Sequence, residues 1–121
     1  MNYETGLKGL PCGLSYSSSP CRLPRNRAGD VLGRQLLKSG TSVGANYREA
    51  LRASSRRHFV TTLEIAIREG EETLYWLELL AESETIKPSR LSELTRECNE
   101  LVAIFTATVV STKRQIRNQK S

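Results

Sequence analysis

Apolar side chains recur at three- and four-residue steps in three stretches of this chain, a period that places them on one face of an α-helix. The pattern predicts a helix from Arg27 to about Ala53, a second from Arg56 to about Glu82, and a third that begins at Pro88. The clearest stripe belongs to the second stretch and consists of Phe59, Leu63, Ala66, Ile67, Gly70, Leu74, Leu77 and Leu80. Three long helices with short connections predict an all-α, antiparallel up-and-down helical bundle.

The two ends of the chain lack this pattern. Glycine, proline and serine interrupt residues 1–24 so often that an irregular or disordered segment is predicted there. The third helix carries Leu91, Leu94, Cys98, Leu101, Val102, Phe105, Val109 and Ile116, but we expect it to fray after Lys113. The predicted organisation is therefore an N-terminal segment over 1–24, a bundle domain over 25–112 and a basic tail over 113–121.

Residues 35–50 place small and polar side chains where an ordinary amphipathic helix carries aliphatic ones. Gly40 and Gly44 lie four residues apart, on one helical face, where they would allow another backbone to come close. Each glycine costs about 1 kcal/mol relative to alanine inside a helix, so tertiary contacts must offset the loss. We therefore predict a helix-packing motif made of Ser39, Gly40, Ser42, Gly44, Asn46, Tyr47 and Glu49.

Charge is distributed unevenly. Residues 22–57 hold nine basic side chains against Asp30 and Glu49, whereas residues 64–84 hold seven acidic ones against Arg68. One interpretation is that the basic and acidic helices lie side by side and compensate each other. The other is that the basic helix and the tail form a surface for a polyanion, which binds by counterion release.

The second interpretation names specific candidates. The basic residues that are candidates for nucleic-acid contacts do not all fit on one helical face. A patch that contains all of them would therefore have to be built across the subunits of an oligomer. The chain also offers no interleaved surface aromatics, so binding is expected to be directed at the backbone and sensitive to salt. The candidate nucleic-acid contacts are Arg27, Arg34, Lys38, Arg48, Arg52, Arg56, Arg57, Lys113 and Arg114.

Catalytic and metal chemistry find little support. Glu49, Glu69 and Glu72 are the carboxylates worth considering, but a di-iron bundle site needs Glu-x-x-His on two helices, and His58 is a single histidine without a glutamate three positions before it. We expect these acids to pair with arginines such as Arg48 or to face solvent. No nucleophile elbow, phosphate-binding loop or dinucleotide motif is present. The sequence predicts no enzyme activity, cofactor, metal or small-molecule substrate.

The number and spacing of the cysteines and the absence of long apolar runs indicate in which cellular compartment the protein functions. Cys12, Cys21 and Cys98 are odd in number and lack C-x-x-C spacing, which supports neither a disulfide framework nor a zinc site. No apolar run approaches the roughly 18 residues of a membrane span, and no signal peptide is evident. We expect a cytoplasmic protein with no membrane partner.

The stretch QLLKSGTSVGANYREALRA, followed by FVTTLEIAIREGEETLYWLELL, resembles a bacterial four-helix-bundle family, the 23S rRNA intervening-sequence proteins. The resemblance covers roughly residues 23–110. It implies an up-and-down bundle that assembles as a ring-like homo-oligomer, in several members a pentamer. Some members are encoded within insertions of the large-subunit rRNA gene. Distant relatives act as accessory factors of diversity-generating retroelements. These factors bind a reverse transcriptase and nucleic acid.

The chain departs from that family at its N-terminus. Members carry an amphipathic first helix before a Leu-Pro like Leu23 and Pro24, whereas GLPCGLSYSSSPC stands in its place here. Either the first helix has been lost, which we favour, or a partner chain covers the groove that this helix would otherwise fill. Loss would leave three well-formed helices with an exposed apolar face, and such faces promote association.

Two hypotheses for function follow. The leading one is a non-enzymatic, self-associating helical-bundle protein that binds RNA, DNA or a ribonucleoprotein partner through its basic helix and tail. The alternative is a purely structural oligomer or protein-interaction module without nucleic-acid binding.

Overall fold

Three antiparallel helices make up the part of the chain that the computed structural model describes, residues 27–84 and 86–119. We number them α1 (Arg27–Leu51), α2 (Arg56–Glu82) and α3 (Pro88–Gln119). The central helix, α2, packs against both others. The predicted all-α bundle is confirmed over this range, whereas the prediction for residues 1–24 lies outside the described residues.

Local signals explain where the helices begin and end. The side chain of Ser55 accepts a hydrogen bond from the backbone N–H of His58 at 3.0 Å and so caps α2. The backbone N–H of Ser83 bonds to the carbonyl of Leu79 at 3.0 Å, and Glu84 then leaves the helical region with φ of 57°. Pro88 begins α3, as predicted, because its missing N–H has no partner to lose in a first turn.

The third helix is longer than the sequence predicts. It continues to Gln119, so the expected fraying after Lys113 is wrong. Two contacts hold its last turns: Ile116 packs against the core, and Lys113 Nζ lies 3.0 Å from Glu64 Oε2 on α2. Neither contact is visible in the local pattern, because each joins residues far apart in the chain.

The core divides into two clusters along the bundle. The first cluster contains Val43, Ala50, Val60, Leu63, Ala66, Phe105 and Val109. The second cluster contains Leu36, Leu77, Leu80, Leu91 and Leu94. Because each cluster draws residues from all three helices, the C-terminal half of α1 lies beside the N-terminal half of α2 and the C-terminal half of α3.

Burial along α2 is wider than the predicted stripe. Leu63, Leu77 and Leu80 are buried as predicted, while Phe59 is only partly buried. Thr62 and Thr73 were not predicted to be buried, and both are. The reason is that α2 has a neighbour on each of two sides, so more than one stripe of its surface is covered.

One member of the predicted small-residue motif, Ser39, contacts α2 directly. Ser39 is 1% exposed, and its Oγ atom lies 2.9 Å from the hydroxyl of Thr73. Gly40 and Gly44 are buried in α1. Asn46 donates to the carbonyl of Ser42 at 2.8 Å within the same helix. Ser39 therefore packs against α2 through a buried pair of hydroxyls, whereas Glu49 is exposed, and a packing role for the motif as a whole stays a prediction.

The tightest approach of α3 to α2 lies at Gly70. A Cβ atom placed on Gly70 would stand 2.7 Å from Val102 Cγ2. One turn earlier on α3, the thiol of Cys98 donates to the carbonyl of Gly70 at 3.3 Å. Only a residue without a side chain allows this approach.

Candidate nucleic-acid interface

The antiparallel order of the helices gathers basic side chains at one end of the bundle. The end of α1, the beginning of α2 and the end of α3 meet around the first core cluster. Residues 48–58 and 113–119, which we call the basic end, contain one acidic residue, Glu49. Against it stand seven basic residues, all exposed: Arg48, Arg52, Arg56, Arg57, Lys113, Arg114 and Arg117.

The fold separates the nine predicted nucleic-acid contacts into two groups. Six of them belong to the basic end, whereas Arg27, Arg34 and Lys38 lie in the N-terminal half of α1. With a rise of about 1.5 Å per residue, Arg27 lies about 32 Å and Lys38 about 15 Å from Arg48 along the axis of α1. Arg27, Arg34 and Lys38 therefore do not contribute to the basic end of the same subunit.

Arg117 was predicted to contribute only as part of the basic tail over 113–121, and it belongs to the basic end. It lies four residues after Lys113 and shares a helical face with it. That signal carried no weight as long as the helix was expected to fray after Lys113. Once α3 is seen to continue, the two cations line one groove.

This groove runs between the first turns of α2 and the last turns of α3 and encloses about 340 Å³. Arg57, Lys113 and Arg117 supply positive charge to it, and Val60 and Ile116 supply apolar surface. Its remaining lining residue, Thr61, donates its hydroxyl to the carbonyl of Arg57 at 2.9 Å. The groove therefore presents three cations beside apolar surface and the hydroxyl of Thr61.

The charges around the start of α2 run against the helix dipole. The N-terminus of a helix carries partial positive charge and favours acidic side chains, yet the first turn of α2 has none and begins with Arg56 and Arg57. The end of α3 adds Lys113 and Arg117 nearby. An anion bound here would offset this concentration of positive charge.

Direct ion pairing between the basic and acidic helices is not seen. The two helices do lie side by side, as one interpretation of the charge pattern requires. Within the described residues, however, no basic side chain of α1 lies within 4.0 Å of an acidic one. The ion pair at this end of the bundle, Lys113 with Glu64, joins α3 to α2, and both side chains are about half exposed.

The carboxylates considered for chemistry lie apart from one another. Glu49 is exposed on the last turns of α1, while Glu69 and Glu72 belong to the middle of α2. Glu72 accepts a hydrogen bond from Trp76 Nε1 at 3.3 Å. Across the described ranges, no three His, Cys, Asp or Glu side chains are grouped closely enough to hold a metal ion.

Cys98 is a structural thiol. Burial raises its pKa from 9.0 to about 11, because the charged thiolate would lose its hydration between α2 and α3. The thiolate is the reactive form of cysteine, so the folded chain suppresses it.

We expect iodoacetamide at pH 8 to alkylate Cys98 about a hundredfold more slowly in the native chain than in the urea-unfolded chain, since a shift from 9.0 to about 11 lowers the thiolate fraction by that factor. Peptide mass spectrometry at several times would give both rates. Native alkylation at the unfolded rate would show that Cys98 is not packed between the helices.

Of the helices that the structure describes, none combines the length and the apolar character needed to cross a bilayer.

Comparison with known proteins supports the fold. A family model described as 23S rRNA-intervening sequence protein matches residues 21–107. The chain is also similar to a crystal structure from Bacteroides thetaiotaomicron VPI-5482, a protein of unknown function from the S23 ribosomal protein family. The identity is 40% and the TM-score 0.64, over 65% of this chain and 73% of that chain. No curated protein matches significantly. Because the family model spans well over half of its length, the chain belongs to the 23S rRNA-intervening sequence protein family.

Proposed function

We propose that this chain is a self-associating, non-enzymatic helical-bundle protein that binds the phosphate backbone of RNA or DNA through its basic end. The observation that carries the proposal is the basic end itself. Seven exposed basic side chains from three helices converge there, against Glu49 and against Glu64, which pairs with Lys113.

A polyanion is the partner that such a surface favours. Like charges held close together repel one another, and bound phosphates relieve that repulsion while releasing counterions into solution. Affinity should then fall steeply as the salt concentration rises. Because the contacts are to phosphates, they position the protein without selecting a base sequence.

Self-association is supported by apolar side chains that a lone chain leaves exposed. Leu51 is 62% exposed and Ile104 is 42% exposed. Both border an apolar groove of about 160 Å³ between α1 and α3, together with Tyr47, Phe59, Leu63, Leu101, Phe105 and Thr108. On this basis we propose that the chain forms a homo-oligomer. The expected form is a pentamer, as the resemblance to the family implies.

The test is a matched pair of triple charge reversals. One variant carries Arg52→Glu, Arg56→Glu and Arg57→Glu at the basic end. Its control carries Arg27→Glu, Arg34→Glu and Lys38→Glu, which change the net charge equally in the N-terminal half of α1. Fluorescence anisotropy with a labelled RNA would be measured between about 50 and 200 mM salt.

We expect the basic-end variant to lose about a hundredfold or more in affinity near 0.1 M salt, because each lost phosphate contact removes about 0.9 from the slope of log K against log salt. The slope should fall by about 3 if all three residues contact phosphates. The control should retain most of the wild-type affinity and slope. Equal losses in the two variants would show that net charge alone drives binding and would contradict a localised site.

The second candidate function is a protein-interaction module without nucleic-acid binding. The exposed apolar groove between α1 and α3 favours it. A wild-type chain that forms a discrete oligomer by light scattering but shows no anisotropy change with RNA or DNA at low salt would support this alternative over the first.

A further inference from the structure

We infer that the basic end takes double-stranded nucleic acid in preference to single strands, with Arg57, Lys113 and Arg117 on the phosphates. This inference rests on the proposed function and names the form of nucleic acid that the same site accepts. It follows from where the aromatic rings lie, from the lining of the groove and from the charge density of the two kinds of ligand.

Proteins that bind single strands stack the unpaired bases on exposed aromatic rings. At the basic end, the nearby rings are committed to the core. Tyr47 and Phe105 stack on each other with centroids 5.2 Å apart and an angle of 17° between their planes. Phe59 packs against the same cluster. Within the described ranges, the basic end therefore offers the bases of a single strand no exposed Phe, Tyr or Trp ring, and its one exposed ring is the small imidazole of His58.

The other rings of the described helices lie in unsuitable surroundings. Tyr75 is 52% exposed and sits against Trp76, with centroids 5.0 Å apart. At a rise of about 1.5 Å per residue, Tyr75 is about 27 Å along α2 from Arg57. Glu71, Glu72 and Glu78 surround it in sequence and would repel a phosphate backbone. These rings cannot assist a strand held at the basic end.

The groove is lined mainly by charged and aliphatic side chains. Of its six lining residues, three are cations and two are aliphatic. The sixth, Thr61, has its hydroxyl engaged with the carbonyl of Arg57. Lys113 is held at the wall by Glu64, and Arg117 follows one turn later on the same helix. Such a lining contacts phosphates and discriminates by charge.

A surface that discriminates by charge prefers the ligand with the higher charge density. A duplex carries one phosphate per about 1.7 Å of its axis and a strand of it one per about 3.4 Å. Each neutralised phosphate contributes about 0.9 to the salt slope for a duplex and about 0.7 for a single strand. With three to five contacts near 0.1 M salt, the duplex should bind about fourfold to tenfold more tightly.

The experiment compares one labelled strand of about 20 nucleotides, of mixed sequence without self-complementarity, with its duplex. Both are titrated with the full chain near 0.1 M salt, as DNA and as RNA, and anisotropy gives the affinities. We expect the duplex to be favoured about fourfold to tenfold in both series. A preference confined to RNA or to DNA would overturn the charge-density argument, because that argument applies to both.

The outcomes separate the inference from the proposed function. Single strands that bind as tightly as the duplex, or more tightly, would overturn the inference and leave nucleic-acid binding intact. No binding of any of the four ligands at low salt would end both.

A pair of double variants tests whether the groove is responsible. Arg57→Gln with Arg117→Gln removes two groove cations, and Arg34→Gln with Lys38→Gln removes two cations in the N-terminal half of α1. Circular dichroism confirms that each variant folds. We expect the duplex preference to shrink toward equality in the groove variant and to persist in the control. A preference that survives in the groove variant would assign it to another surface.

Discussion

Replacing Leu63 with alanine is expected to lower the free energy of unfolding by about 3–5 kcal/mol, because it opens a cavity in the first core cluster. Leu63 is 1% exposed and lies on α2, which packs against both other helices. A domain of this size is stabilised by only about 5–15 kcal/mol in total, so the loss would be a large share. Urea unfolding followed by circular dichroism measures it.

The control is the same chemical change at an exposed position. Leu51→Ala removes a side chain that is 62% exposed in the single chain, and at protein concentrations where the proposed oligomer dissociates we expect a loss below about 1 kcal/mol. If Leu51→Ala were as damaging as Leu63→Ala, Leu51 would have to be covered in solution. Repeating both titrations over a range of protein concentrations would then show whether another copy provides that cover.

Gly70→Val is expected to destabilise the chain by about 3 kcal/mol, because the close approach of α3 leaves no room for a side chain. The first added carbon alone would lie 2.7 Å from Val102 Cγ2, well inside van der Waals contact. Both residues would then be β-branched and stiff at χ1, so neither could turn aside easily. The same urea titration measures the effect.

The shape of the contact can be tested with smaller changes. Gly70→Ala should cost less than Gly70→Val, since alanine regains about 1 kcal/mol of helix propensity. Combining it with Val102→Ala removes the methyl that clashes, and the double variant should be more stable than the sum of the two single changes allows. Strict additivity would contradict the close approach at Gly70.

Local chemistry made much of this fold predictable. The helix starts predicted at Arg56 and at Pro88 agree with the structure. The stripe through Leu63 and Leu77 identified the core face of α2. These features were readable because each depends on residues within a few positions of one another.

Contacts between distant residues set the limit of prediction. The end of α3 depends on Ile116 and on the pair of Lys113 with Glu64, which are 49 positions apart. The spacing of its glycines predicted a close backbone approach at α1, whereas the close approach that the structure shows lies at Gly70 on α2. The sequence pattern alone does not say which neighbour a glycine will face.

The candidate site also combines features that were predictable from the local sequence with features that depend on the fold. Its residue types were evident from composition, since arginine dominates residues 48–57. Their grouping depended on how the helices are arranged. Because α1 runs from Arg27 to Leu51, Arg27 and Arg52 lie at opposite ends of the bundle. Arg117 was predicted as part of the basic tail, but its place in the groove beside Lys113 depends on the full length of α3.

The central position of α2 has a consequence for how the chain folds. Within the described residues, backbone packing joins α1 to α2 and α2 to α3, while α1 and α3 meet only through side chains such as the Tyr47–Phe105 stack. Every helix-to-helix backbone interface therefore joins neighbours in the chain, which keeps the contact order low. Helical domains of that kind fold in microseconds to milliseconds. Each of the two hairpins can form as soon as its own pair of helices has been synthesised, and α2 serves as the template for both.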